Sequence, residues 1–245
     1  MIEFKLFQEF PELFYTFSTS KDGNMGFQYG PEEDVRNNRR GFLEKIEVEP
    51  ENGVVMKCQD GTKIAIVGGR ERGLGVLQSG QGIPVDAMIT ETPGLYLLLQ
   101  LADCLPIILY APYRQVVALV HAGRQATDAQ ILPMTIEMMV ERFDLEANDL
   151  VAAIGPGIQK ESYKFDHVEQ SQKPEWQKYI TRDGDMLSVD IVGYNRDQLI
   201  RAGVKPECIE ISPIDTARSS EYYSHYRSKH NDEPEARFLA IVGMR

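Results

Sequence analysis

Residues 95–123 read LYLLLQLADCLPIILYAPYRQVVALVHAG, three apolar runs interrupted by an Asp-Cys pair and by a Pro-Tyr-Arg-Gln break. The runs at 95–101, 107–110 and 116–120 are short and rich in Leu, Ile and Val, the pattern of strands buried on both faces. Outward from this stretch, similar runs predict strands over 63–67, 87–90, 151–154, 209–212 and 238–242. Helical spacing is clearest over 128–143, where Leu132, Ile136, Met139 and Phe143 share one face, and Pro133 falls early enough to sit in a first turn. Two further helices are predicted over 33–46 and 194–202, the second closed by Gly203 as a C-cap. Strands and helices mix without strict alternation, which predicts an α+β fold rather than a doubly wound sheet. No repeat or linker interrupts the chain, so residues 1–245 are expected to form one domain.

The chemistry begins where that stretch breaks. Asp103 and Cys104 fall between two apolar strands, and a buried carboxylate costs several kcal/mol unless it is paired or hydrogen-bonded. Downstream, the run at 116–120 ends in His121-Ala122-Gly123, an imidazole at a strand end. A cysteine or a histidine alone is ordinary packing. Together Cys104 and His121 offer a soft and a borderline ligand, suited to zinc or copper, or a nucleophile and its base, and their spacing leaves both readings open.

Composition narrows the partners. The 245 residues carry a net charge of −11, spread along the chain, which argues against nucleic acid and anionic membrane surfaces. The longest uncharged run, residues 73–85, is glycine-rich and shorter than the roughly 18 to 20 apolar residues of a spanning helix. Met-Ile-Glu-Phe-Lys has no signal-peptide pattern, and three cysteines suit a reducing compartment, so a cytoplasmic location is expected. The glycine-rich segment 68–75 lacks dinucleotide-binding spacing and is expected to be a mobile loop. Tyr222, Tyr223 and Tyr226 are either packing residues or a stacking surface for a base.

Asp86-Ala-Met-Ile-Thr90, Ala102-Asp-Cys-Leu-Pro106 and His121-Ala-Gly123, in that order, resemble the laccase-domain family, also labelled polyphenol oxidase or peptidoglycan editing factor. Its members are described as purine nucleoside phosphorylases and deaminases. Asn24-Met-Gly26, Val35-Arg-Asn-Asn-Arg39, Ile154-Gly-Pro156 with Tyr163, Asp190, Asn195, Gln198-Leu199, Asp215-Thr216, residues 223–227 and Arg237-Phe238 extend the resemblance nearly end to end. It implies a four-layer α/β/β/α sandwich similar to Cys–His deamidase-type folds, with a metal site of two His and one Cys.

Cys104 and His121 fall on two of those ligands, while Asp60 stands where the family has its other His. Arg124 and Gln125 replace a Trp and an Arg, Thr19-Ser20 replaces a Thr-Arg pair, and Asp215 replaces a Cys. On this resemblance Asp60, Cys104 and His121 would hold zinc, or copper, and the protein would act on a purine nucleoside such as adenosine, inosine or methylthioadenosine. Arg39 and Arg124 would contact phosphate. Without metal, Cys104 would be the nucleophile and His121 its base, with Asp103 or Asp60 orienting the ring; a hydrolase editing an amide on a nucleotide-linked amino sugar is the second reading. A nucleoside-binding protein without activity is the third. The laccase label does not demand multicopper chemistry, for the chain has four His in all.

Overall fold

The computed structural model describes residues 2–245, an α+β domain with three sheets. The first sheet runs β1 (Leu13–Phe17), β13 (Phe238–Met244), β5 (Tyr96–Leu101), β2 (Gly53–Met56). The second runs β12 (Ile209–Ile211), β8 (Val151–Ile154), β6 (Leu105–Ala111), β7 (Val116–Ala122), β4 (Ala87–Thr90), β3 (Ile64–Ile66). A small third sheet joins β10 (Ile180–Asp183), β11 (Met186–Val189) and β9 (Lys164–Phe165). The helices are α1 (Glu32–Lys45), α2 (Arg124–Asp128), α3 (Ile131–Phe143), α4 (Ile191–Arg201) and α5 (His225–Asn231).

Strand alternation decides what each face buries. Leu97, Leu99 and Leu101 of β5 and Phe238, Ala240 and Val242 of β13 meet Met88, Ile108, Val117 and Leu119 of the second sheet in a shared core. The opposite residues, Leu98 of β5 and Leu239 and Ile241 of β13, pack on Phe42 and Leu43 of α1. Ile107, Leu109, Ala118 and Val120 turn the other way, onto Ile131, Leu132, Ile136, Met139 and Leu199 of α3 and α4. Truncating one of these large residues to Ala costs about 2 to 5 kcal/mol.

The strands expected at 63–67, 87–90, 95–101, 107–110, 116–120, 151–154, 209–212 and 238–242 all form, with shifted ends. The helix expected over 128–143 forms as α3 from Ile131 onward: Gln130 adopts a left-handed φ of 66° and separates it from α2, which ends at Asp128. The helix expected at 194 begins three residues earlier because Asp190 caps it, its carboxylate accepting from Gly193 N at 2.7 Å. The glycine-rich segment is tied down rather than loose: Gly73 N donates to Gly53 O at 2.7 Å, and Val55 N to Leu74 O at 2.9 Å. Among the described residues no helix is long and apolar enough to cross a membrane.

Alternation also places His121. It follows Val117 and Leu119 on the face of β7 that looks into the space between the two large sheets. The chain crosses from β5 in one sheet to β6 in the other through Ala102, Asp103 and Cys104, so the thiol arrives at the same opening. β2 ends beside it and leads directly to Cys58.

Candidate functional site

His121 is 5% exposed. Its Nδ1 lies 3.3 Å from Oδ1 of Asp86, a carboxylate with no exposed surface at the start of β4. Asp86 also accepts Gln59 N at 2.9 Å and Gly61 N at 3.1 Å, so one side chain orients the ring and folds the 58–61 loop against it. That fold brings the Cys58 thiol within 4.8 Å of Asp86 and His121 ligand atoms, a group able to hold a metal ion. Burial opposes the charge on Asp86, but the hydrogen bonds from His121 and the two amides outweigh it and hold its pKa below the ordinary carboxylate value.

Cys104 approaches the ring from its other side. A Cβ on Gly123 would meet Cys104 Sγ at 3.0 Å and His121 Nε2 at 3.4 Å, so only a glycine leaves the thiol and the ring edge their room. Burial disfavours the imidazolium, yet the charges of Cys58 and Cys104 and hydrogen bonds to Asp86 and Cys104 overcome it, raising His121 well above 6.5.

Two cavities meet at Cys104. One, of about 360 Å³, is lined by Cys58, Asp60, His121, Gln100, His225 and Arg237. The other, of about 410 Å³, is lined by Asp103, Arg124, Tyr163, Phe165, Tyr226 and Lys229, and reaches His225 from the far side. Burial pushes the Tyr163 hydroxyl up to about 12, so it faces the second cavity as a neutral group.

The residues singled out from the sequence scatter in instructive ways. Asp60 is exposed at a left-handed φ of 53° on the loop; it lines the first cavity but lies outside the Cys58–Asp86–His121 group. Asp103 does not face His121: it accepts Thr216 Oγ1 at 2.6 Å, Ser224 Oγ at 3.0 Å and Tyr226 N at 2.6 Å, and holds a φ of 83°. Burial outweighs these donors and raises its pKa. The carboxylate at the ring is thus Asp86, in place of the Asp103 or Asp60 expected there.

Arg39 is fully buried away from both cavities. It donates to Met25 O, Gly75 O and Val76 O at 2.6 to 2.9 Å and packs over Phe27, and burial lowers it to about 10. An arginine spent on three carbonyls clamps the glycine-rich segment and has nothing left for phosphate. Arg124 does line the second cavity, with one terminal nitrogen on Gln170 and a buried Nε that has no partner among the described residues. Tyr222 packs on Phe238 in the core, and Tyr226 stacks on His230 at the cavity wall. Asp215 accepts Ser162 Oγ at 2.6 Å and Ala217 N at 3.1 Å, a loop-forming role.

No sequence pattern gives Cys58, Asp86 or His225 a role. A thiol just past an apolar run is the signal for Cys58, and a carboxylate abutting one is the signal for Asp86.

Known proteins share the family and the fold of this chain. The family described as multi-copper polyphenol oxidoreductase laccase matches residues 16–245. A Geobacillus stearothermophilus protein named purine nucleoside phosphorylase YlmD is 32% identical over 234 residues, covering 91% of this chain and 83% of its own. A Bacteroides thetaiotaomicron purine nucleoside phosphorylase is 28% identical over 203 residues, covering 80% and 75%. The crystal structure of YlmD from G. stearothermophilus superposes with a TM-score of 0.89 at 29% identity over 96% of this chain and 93% of its own. The Bacillus licheniformis hypothetical protein YfiH gives 0.89 at 26%, over 97% and 95%. With residues 16–245 matched, the chain belongs to the multi-copper polyphenol oxidoreductase laccase family.

Proposed function

We propose that this protein is a purine nucleoside phosphorylase that cleaves inosine, adenosine or methylthioadenosine with inorganic phosphate. The observation that carries the reading is the position of Cys104, beside His121 and at the junction of two cavities, one holding aromatic rings and cations and the other the thiol–imidazole–carboxylate group. The names of the relatives support it, and the flanking of two packed sheets by α1 on one side and α2 to α4 on the other supports an α/β/β/α sandwich of the Cys–His deamidase type.

The donor set fits zinc. Cys58 Sγ and a His121 ring nitrogen lie within 4.8 Å of each other, the spacing of ligands about 2.0 to 2.3 Å from one ion, and Cys104 Sγ and His121 Nε2 crowd the same point beside Gly123. Cys58, Cys104 and His121 would hold it, and Asp86 would fix the imidazole from Nδ1 in the manner of a carboxylate–histidine–zinc arrangement. When bound, the ion supplies positive charge to an oxygen nucleophile, tempered by two thiolates. The protein's own groups do the rest: Phe165 and Tyr226 offer faces to a purine, and Arg124 and Lys229 offer charge to phosphate.

The experiment is turnover of the three nucleosides with phosphate by wild type and Cys104→Ala. Wild-type turnover, reduced at least about 1000-fold by the substitution, is expected. Equal, near-background rates would end the phosphorylase reading, and a melting temperature still raised by inosine would then indicate a nucleoside-binding protein. The chain Asp86–His121–Cys104 favours a second reading, thiol-dependent hydrolysis of an amide on a nucleotide-linked amino sugar. Release of the amino acid from such a substrate, with no phosphorolysis, would select it.

A further inference from the structure

One imidazole near Cys104 is left without a role by this scheme. His225 opens α5 and lines both cavities, the only histidine common to their walls among the described residues. Its Nδ1 contacts Glu235 Oε1, and Glu235 Oε2 accepts Arg237 Nη1 at 2.8 Å. Arg237 is itself held by Tyr29, donating to the hydroxyl at 2.6 Å with its guanidinium 3.9 Å from the ring centre. A ring bound this way at Nδ1 presents Nε2 as its working atom.

The helix carrying it is anchored to the cysteine loop. Ser224 caps α5, and both Ser224 Oγ and Tyr226 N donate to Asp103, the neighbour of Cys104. A carboxylate with an unusual backbone φ thus fixes His225 relative to the thiol. Charged or titratable groups nearest His225 are Glu235 and Arg237 from the approach to β13, Asp103 and Cys104 from the crossover, and Lys229 from its own helix; Cys58, Asp60 and His121 share the first cavity with it, and Arg124, Tyr163, Lys164, Asp166 and His230 the second.

We infer that His225 is the catalytic acid that protonates the departing purine, with Glu235 as its positioning residue. The inference rests on the phosphorylase reading and adds the leaving-group half of that reaction. A phosphate oxygen bonds to C1′ as the C1′–N9 bond breaks, and the bonding pair enters the purine ring. The Nε2 proton of His225 passes to N7 of the purine, and the neutral imidazole recovers a proton from the hydrogen phosphate that has become the sugar ester. No electrons are exchanged. General-acid assistance of this kind is worth about 100- to 10,000-fold.

The test compares inosine with para-nitrophenyl riboside, whose leaving group departs as a stable anion without a proton. In His225→Ala the ratio of inosine to nitrophenyl riboside turnover should fall at least about 30-fold from wild type. His225→Gln, which keeps the side chain polar, should show the same fall, and melting curves check that both variants fold. Glu235→Gln should move the acid-dependent limb of the kcat–pH profile for inosine and leave that for the nitrophenyl substrate in place. An unchanged substrate ratio in both His225 variants, with wild type active, overturns this role alone. Wild type inert on both ribosides with phosphate overturns the phosphorylase reading and this role with it.

Discussion

Asp86 and Asp103 are both buried carboxylates at strand ends, both accept three hydrogen bonds, and both lie next to residues of the same site, yet their pKa values move in opposite directions. Asp86 has two amides and an imidazole; Asp103 has two hydroxyls and an amide. Burial penalises each anion. The imidazole in contact with Asp86 can carry positive charge, and that tips the balance toward ionisation. The donors in contact with Asp103 are neutral, with His225 acting only through space, so desolvation prevails. The lesson is a division of labour: the ionised carboxylate orients a ligand, and the one that tolerates neutrality ties a helix to a loop.

The largest effect that separates them is on stability. Asp103→Ala strands two hydroxyls and the Tyr226 amide without an acceptor, at a cost of about 2 to 4 kcal/mol. Thermal melting should fall by about 5 to 15 °C, and amide exchange in α5 should accelerate. Zinc affinity changing as much as stability would erase the distinction between the two carboxylates.

Zinc affinity should single out the other pole. Asp86→Asn removes the anion behind His121 and should weaken binding about 10- to 100-fold in a competition titration. Cys58→Ala, which deletes a ligand, should weaken it at least as far, while Asp60→Ala should change it less than about threefold. Equal losses for Cys58→Ala and Asp60→Ala would return Asp60 to the ligand set and sharpen the comparison in a different direction.

The smallest effect comes from a carboxylate far from either thiol. Asp128 is partly buried, which opposes its charge, but Lys173 at 2.6 Å, the Trp176 indole at 2.8 Å and Gln170 together lower its pKa below 3.8. A carboxylate lowered on folding adds stability that is present above the unfolded value and lost as pH falls through the folded one. Asp128→Asn should therefore cost about 1 kcal/mol or less at pH 7, and the difference from wild type should shrink as pH falls below the ordinary carboxylate value of 3.8. A difference that persists unchanged to pH 2 would show that packing, and not charge, is what Asp128 contributes.

Residues 95–123 by themselves determined the heart of the fold and two members of the site. Strand alternation is local, so Leu97, Leu99, Ile107 and Val117 announce buried strands whatever they pack against, and a thiol and an imidazole at the ends of such strands must lie near the core's rim. Tertiary structure alone decided the rest, because the remaining ligands depend on where loops point. Asp60 and Cys58 differ by two residues, and only the grip of Asp86 on Gln59 and Gly61 turns Cys58 inward and leaves Asp60 exposed at its left-handed φ. Arg39 reads as an anion contact until the fold surrounds it with carbonyls of a segment more than 30 residues away. The break between α2 and α3 at Gln130 requires a left-handed residue that helical spacing does not announce. His225 joins Cys104 only because Asp103, 121 residues before Ser224, accepts that hydroxyl and draws α5 against the crossover, a pairing that no local pattern encodes.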